Sequence, residues 1–198
     1  MRRTRRLHSI RTGLGDRSLV FVGMMGCGKS AIGRMLASEL ELPYHDSDAE
    51  IVAAAGMPIS EIFSRFGEDY FRKGEQRVVS RLLSEGPGVV SLGGGAFLAE
   101  NTRQEIAGKG ISIWLKADLD LLMARVMRRP GTRPLLQTAD PRATLADLLH
   151  KRTPFYELSD LHVESSRLSK KMTTESVLRS LEAWLPNHPA SPQEEIQE

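Results

Sequence analysis

The sequence predicts an α/β domain in which a parallel sheet is covered by helices on both faces. Three observations lead there. Short apolar or β-branched stretches alternate with longer stretches of helical periodicity along the chain. The segment Gly23-Met24-Met25-Gly26-Cys27-Gly28-Lys29-Ser30 lies between the first strand and the first helix of that alternation. Glycine-rich or acidic turns follow the predicted strands, where ligands gather in sheets of this type.

Each element has its own reason. Ser18 to Val22 is short and apolar, the pattern of a buried strand. Ala31 to Glu41 carries Ile32, Met35, Leu36 and Leu40 at helical spacing. Further strands are expected at Tyr44–Asp46, Val89–Leu92, Ile111–Leu115 and Leu161–Val163. Helices are expected at 59–83, 101–108, 118–127, 141–158 and 173–185. Alternation of this kind calls for parallel pairing through right-handed crossovers. The stretch from Met57 to Leu83 is an amphipathic insertion between strands two and three, placed to overhang the crevice at the strand ends.

Composition bounds the rest. A chain of 198 residues suffices for one domain, with 40% hydrophobic and 26% charged residues. Apolar runs are far below membrane-spanning length, so no membrane association is expected. One cysteine, Cys27, forms no internal disulfide and fits a reducing cytoplasm. The net charge of +2 is unevenly spread: Arg2, Arg3, Arg5, Arg6 and Arg11 crowd the start, while Glu194, Glu195 and Glu198 close the end. Setting these aside leaves a neutral body. Residues 1–17 therefore read as a disordered basic arm, 186–198 as a disordered tail, and 18–185 as the single folded domain.

The chemistry begins in the glycine-rich turn. Gly23, Gly26 and Gly28 let the backbone curl so that N–H groups face phosphate oxygens. Lys29 brings positive charge to the β/γ-phosphates, Ser30 offers a hydroxyl to Mg²⁺, and the helix N-terminus adds partial positive charge. With Cys27 and Ala31, these residues are the expected nucleotide contacts. Asp46 and Asp48 close the second strand; as alternating strand residues they would face opposite sides, one toward a metal and one toward an acceptor hydroxyl. The loop Arg128 to Leu136, broken by Pro130 and Gly131, suits a lid over 128–140 with Arg133 as its transition-state charge. Arg72 and Arg152 are guanidinium forks suited to a carboxylate, should they meet.

Taken together these residues resemble the shikimate kinase family. The resemblance runs from the phosphate loop through Asp46-Ser47-Asp48, Phe71-Arg72-Lys73-Gly74-Glu75, Ser91-Leu92-Gly93-Gly94-Gly95-Ala96 and Arg133-Pro134-Leu135-Leu136 to Arg152-Thr153-Pro154-Phe155-Tyr156, covering about residues 18–185. It implies a P-loop three-layer sandwich with a five-stranded parallel sheet in order 2-3-1-4-5, and an insertion over 47–85 that binds substrate. It implies transfer of the ATP γ-phosphoryl to the 3-hydroxyl of shikimate, in aromatic amino-acid biosynthesis; a cytoplasmic monomer is expected. By that analogy Ser30 and Asp46 hold Mg²⁺, Asp48 bonds the acceptor hydroxyls, and Arg72 and Arg152 clamp its carboxylate. Gly93, Gly94 and Gly95 shape the pocket, Glu75 orients Arg72, and Arg133 arrives with the lid. The arginine that stacks on adenine stays open among Arg125, Arg128 and Arg129. Glu50-Ile51-Val52 and the loop 164–171 depart from the family pattern.

Rival readings stand beside it. A related kinase acting on gluconate or a nucleoside monophosphate would use the same sheet. A guanine-nucleotide switch is disfavoured because no Asn-Lys-x-Asp signature occurs. Nucleic-acid binding by the arm would fall steeply with salt and would be lost on starting the chain near Gly15, with phosphotransfer retained; no nucleic-acid partner is expected.

Overall fold

The computed structural model describes residues 2–128, 134–165 and 169–190. Five strands, β1 (Ser18–Val22), β2 (Tyr44–Asp46), β3 (Val89–Ser91), β4 (Gly110–Lys116) and β5 (Leu161–Glu164), form one parallel sheet in the order β2-β3-β1-β4-β5. β1 lies at its centre, pairing Leu19 with Val89 on one side and with Ile111 on the other. All five β1 residues are buried, as a strand covered on both faces requires.

Helices α2 (Lys29–Leu40) and α8 (Lys170–Trp184) pack together, and α4 (Ile59–Ser84) packs with α5 (Glu100–Lys109). Leu36, Leu40, Val177 and Leu181 fill the core from the first pair, Leu82 and Ile106 from the second. Two shorter helices, α3 (Ser47–Ala55) and α6 (Leu119–Val126), follow β2 and β4, and α7 (Pro141–Tyr156) precedes β5. The α4 backbone breaks its helical course at Gly67, where φ is 79° and ψ 175°. No helix among the described residues is long and apolar enough to cross a membrane.

The basic arm departs from its sequence expectation. Arg2–Leu14 forms helix α1, lying against α2 and α8. Ile10 and Leu14 are buried at 2% and 1% exposure, and Leu7 packs beside them, so an apolar stripe at positions 7, 10 and 14 anchors the helix. Three of its arginines meet acids from distant parts of the chain. Arg3 pairs with Glu39 at 2.9 Å, Arg6 with Glu175 at 2.5 Å and Glu182 at 2.8 Å, and Arg11 with Glu41 at 3.1 Å. Charge density in the sequence suggested a solvated extension; the counter-charges lie up to 176 residues away, out of reach of composition. The tail is likewise ordered at its start. His188 stacks on Trp184 with ring centroids 3.8 Å apart, and Arg17 donates to the His188 carbonyl. Residues 191–198 lie outside the described residues.

Candidate active site

β1 delivers the chain to the phosphate loop, and Gly28 turns it into α2. Gly28 has φ 109° and ψ 10°, a left-handed conformation that a side chain disfavours, and α2 starts on the next residue. The first-turn N–H groups of α2 therefore open onto the loop. Lys29 Nζ donates to the carbonyls of Gly23 at 2.8 Å and Met24 at 3.2 Å, which holds its ammonium along the loop. Cys27 is fully buried behind it, and Ala31 sits in the first turn. From across the sheet, Arg125 Nη1 donates to the Cys27 carbonyl at 2.9 Å and to Ser165 Oγ at 2.8 Å. Ser165 Oγ in turn donates to the Cys27 carbonyl at 2.7 Å. Burial draws the Arg125 pKa down, opposed by the nearby Cys27. Of the three arginines left open for the nucleotide base, Arg125 is the one bonded to the loop's back; Arg129 lies outside the described residues.

Beside α2, Ser30 Oγ donates to Asp46 Oδ2 at 2.9 Å, and the Tyr44 hydroxyl reaches the same oxygen at 3.3 Å. Burial pushes the Tyr44 phenol up, so it stays a neutral donor. Among the described residues no group of three or more His, Cys, Asp or Glu side chains converges as a metal cage. One carboxylate and one hydroxyl at a phosphate loop fit Mg²⁺, which keeps several waters and takes its other ligands from phosphates.

The acceptor side is organised by three consecutive glycines after β3. A side-chain carbon added to Gly93 would lie 2.5 Å from Asp48 Oδ1 and 3.1 Å from Glu75 Oε1. One added to Gly94 would lie 3.1 Å from Arg152 Nη1, and one added to Gly95 2.8 Å from Arg72 Nη1. The glycine strip is thus the floor on which Asp48, Glu75, Arg152 and Arg72 converge, from α3, α4 and α7. The same added carbon on Gly94 would sit 3.9 Å from the Met25 nitrogen, so the strip adjoins the phosphate loop.

Helix α3 corrects the reading of the acidic pair. Asp46 ends β2, but Asp48 stands in the first turn of α3, so the two do not alternate along a strand. Rotation into the helix carries Asp48 over Gly93 instead. Ser47 between them is buried and accepts the Gly93 N–H at 2.9 Å, tying the acidic turn to the glycine strip.

Charge in this cluster is dense and partly buried. Arg72 pairs with Glu75 at 2.8 Å and Glu68 at 3.0 Å, and its guanidinium lies 5.2 Å from the centre of the Phe71 ring. Burial works to lower the Arg72 pKa, but the bonds to Glu75 and Glu68 outweigh it and hold it raised. Glu75 moves up as well, because burial, reinforced by the charge of Asp48, outweighs the pull of Arg72 and Arg152. Arg152 is 8% exposed and donates to the Gly94 carbonyl at 3.1 Å. Tyr156, one turn further along α7, donates to the same carbonyl at 2.5 Å.

The structure therefore brings Asp48, Arg72 and Arg152 together on Gly93–Gly95, and gathers Gly23, Gly26, Cys27, Gly28, Lys29, Ser30 and Ala31 on the adjoining loop with Asp46 beside Ser30. Arg133 and most of the basic loop before it lie outside the described residues. Sequence reasoning passed over Tyr156, Ser47, Tyr44 and Ser165. Ser47 and Tyr156 lie inside motifs that carry the resemblance, and Tyr156 also stands four residues after Arg152 on a predicted helix.

Similarity to known proteins matches this geometry. The family model for shikimate kinase matches residues 25–182. The chain belongs to the shikimate kinase family. It is 54% identical over 176 residues to a shikimate kinase of Bradyrhizobium diazoefficiens, covering 89% of this chain and 84% of that one. Identity to a shikimate kinase of Mesorhizobium japonicum is 52%, over 85% of this chain and 82% of the relative. Among solved structures, a shikimate kinase from Acinetobacter baumannii in complex with shikimate superposes with a TM-score of 0.81 at 32% identity, covering 92% of this chain and 98% of that one. A gluconokinase from Sinorhizobium meliloti has a TM-score of 0.59 at 21% identity and shares the fold alone. In this shikimate kinase family member the parallel sheet, in the order β2-β3-β1-β4-β5, puts the two halves of the site side by side.

Proposed function

We propose that this chain phosphorylates the 3-hydroxyl of shikimate at the expense of ATP, with the nucleotide on the phosphate loop and shikimate on the glycine strip. The observation that carries this reading is the convergence of Asp48, Arg72 and Arg152 on Gly93–Gly95 beside the loop. That arrangement suits a small acceptor bearing hydroxyls and one carboxylate. Family membership supplies the acceptor's name and makes gluconate and nucleoside monophosphates the weaker alternatives.

Arg152 and Arg72 bind the acceptor carboxylate, since planar forks match its two oxygens. The Asp48 carboxylate accepts the hydrogen bond of the attacking hydroxyl, orients its oxygen toward the phosphoryl group and takes its proton as the new bond forms. Gly93–Gly95 leave room for the ring because any side chain there would strike Asp48, Arg152 or Arg72. On the nucleotide side the loop N–H groups and the α2 N-terminus hold the phosphates, and Lys29 stabilises charge on the transferring group. Ser30 and Asp46 would hold Mg²⁺, which would supply positive charge against the phosphates. Arg125, bonded to the Gly26 and Cys27 carbonyls, is the arginine this reading sets beside the nucleotide base. Arg133 contributes charge from the lid over 128–140, which excludes water from the reacting atoms.

In this reading the enzyme works as a cytoplasmic monomer that binds no nucleic acid. The pairing of Arg3, Arg6 and Arg11 with acids of the same chain supports that last point. A coupled ADP-release assay across shikimate, gluconate and nucleoside monophosphates tests the function, with Mg²⁺ varied from chelated to saturating. Turnover on shikimate alone, abolished by chelation, is the expected result. Robust turnover of another acceptor with none on shikimate would overturn it.

A further inference from the structure

Tyr156 occupies an unusual junction. It is fully buried at the end of α7, one helical turn after Arg152. Its hydroxyl donates to the Gly94 carbonyl at 2.5 Å and lies 3.8 Å from Met24 Sδ, so one side chain touches both the glycine strip and the phosphate loop. The ring packs against Trp114 of β4, centroids 6.0 Å apart, and a side-chain carbon added to Gly23 would lie 3.2 Å from Trp114 Cδ1. Burial pushes the phenol up to about 12, against the opposing pull of Arg152, so the hydroxyl remains a donor throughout the working range. The Gly94 carbonyl consequently accepts two donors at once, a neutral phenol and the Arg152 guanidinium.

We propose that Tyr156 is a positioning residue of the acceptor pocket: by fixing the Gly94 carbonyl it sets where the Arg152 guanidinium stands toward the acceptor carboxylate. The physical case is geometric. A long flexible arginine directed at a carboxylate binds well only if its fork is held in place beforehand, because ordering it during binding costs affinity. Nη1 of Arg152 is bonded to a carbonyl in the middle of a glycine run, the kind of backbone with least intrinsic stiffness. The phenol holds the same carbonyl beside Arg152, on a buried ring that packs against Trp114 with its hydroxyl against Met24 Sδ. Tyr156 is fully buried, so in this proposal it acts through Arg152. This rests on the assignment of Arg152 to the acceptor carboxylate made above.

The test is a double-mutant cycle of Tyr156→Phe and Arg152→Lys, read as shikimate KM, ATP KM, kcat and Tm. Phe keeps the ring and its packing, and Arg152 still occupies the Gly94 carbonyl, so Tyr156→Phe should leave the fold intact. Shikimate KM should rise about threefold to tenfold, the scale of one lost hydrogen bond, with ATP KM unchanged and kcat within about twofold. In the Arg152→Lys background the same substitution should add less than about twofold. With the methyl ester of shikimate, which lacks the carboxylate charge, Tyr156→Phe should have no effect on KM. Equal increases in shikimate and ATP KM, or a Tyr156→Phe effect that persists undiminished in the Arg152→Lys background or on the ester, would overturn the proposal. If Arg152→Lys alone leaves shikimate KM unchanged, the carboxylate clamp itself is wrong, a separate failure.

Discussion

Helix α1 and the glycine-strip pocket are both rich in arginine, and they use it in opposite ways. In α1, Arg3, Arg6 and Arg11 each end on a glutamate of α2, α8 or the turn after α2, so their charge is consumed within the fold. In the pocket, Arg72 is shared between two glutamates while Arg152 is held by a neutral carbonyl, and both point at a floor without side chains. The lesson is that an arginine's role is set by what faces it. Counter-charge with no open floor beside it makes an arginine a tie between elements; a floor without side chains leaves Arg152, and Arg72 despite its glutamates, able to bind an anion.

Substitutions can break or sharpen this contrast. The largest effect is expected in the pocket's acid: Asp48→Asn should lower kcat about 10²-fold or more, as loss of a positioned base does, with ATP binding by calorimetry little changed. Equal loss of both would place Asp48 outside the acceptor side. Gly93→Ala comes next, because the new methyl would lie 2.5 Å from Asp48 Oδ1 and displace it; shikimate kcat/KM should fall about tenfold or more, and an unchanged value would remove the glycine strip from the pocket.

In α1 the expected losses are of stability rather than of kinetics. Arg6→Met should lower Tm by a few degrees, roughly the worth of a half-buried ion pair. High salt should narrow the gap between variant and wild type, and shikimate KM should not move. A KM change there would erase the distinction between the two regions. Starting the chain at Gly15 should cost more Tm, since Ile10 and Leu14 leave the core, yet the protein that stays folded should keep its turnover.

The smallest effect concerns Glu75. Its folded pKa is raised by burial, so the ionised form costs stability: the cost is absent below the ordinary carboxylate range, grows as pH rises through it, and is complete above the folded value. Glu75→Gln should therefore be at least as stable as wild type at pH 7, with the advantage vanishing toward about pH 4. A variant less stable at neutral pH would mean that the Arg72 pair outweighs burial.

How far the site was legible depends on how local its signal is. The phosphate loop was legible because its chemistry lies in eight consecutive residues between a strand and a helix. Asp48 was legible as a residue but not in its geometry, since β2 gives way to α3 at Ser47 and the helical turn, not strand alternation, carries its carboxylate over Gly93. Tyr156 was legible only as a neighbour of Arg152, because its function depends on a carbonyl 62 residues away. The α1 helix was misread for the same reason: its stripe at Leu7, Ile10 and Leu14 is local, but the acids that neutralise its arginines are not.

By itself the sequence determined the alternation of strands and helices, the sheet they build and the phosphate loop, because periodicity and turn chemistry act between near neighbours. Only the tertiary structure decided that Asp48, Glu75, Arg152 and Arg72 share one glycine floor, and that Arg3, Arg6 and Arg11 of the basic helix pair with glutamates of the same chain. Electrostatic partners and pocket walls are set by distance in space, and a linear chain does not contain that distance until it folds.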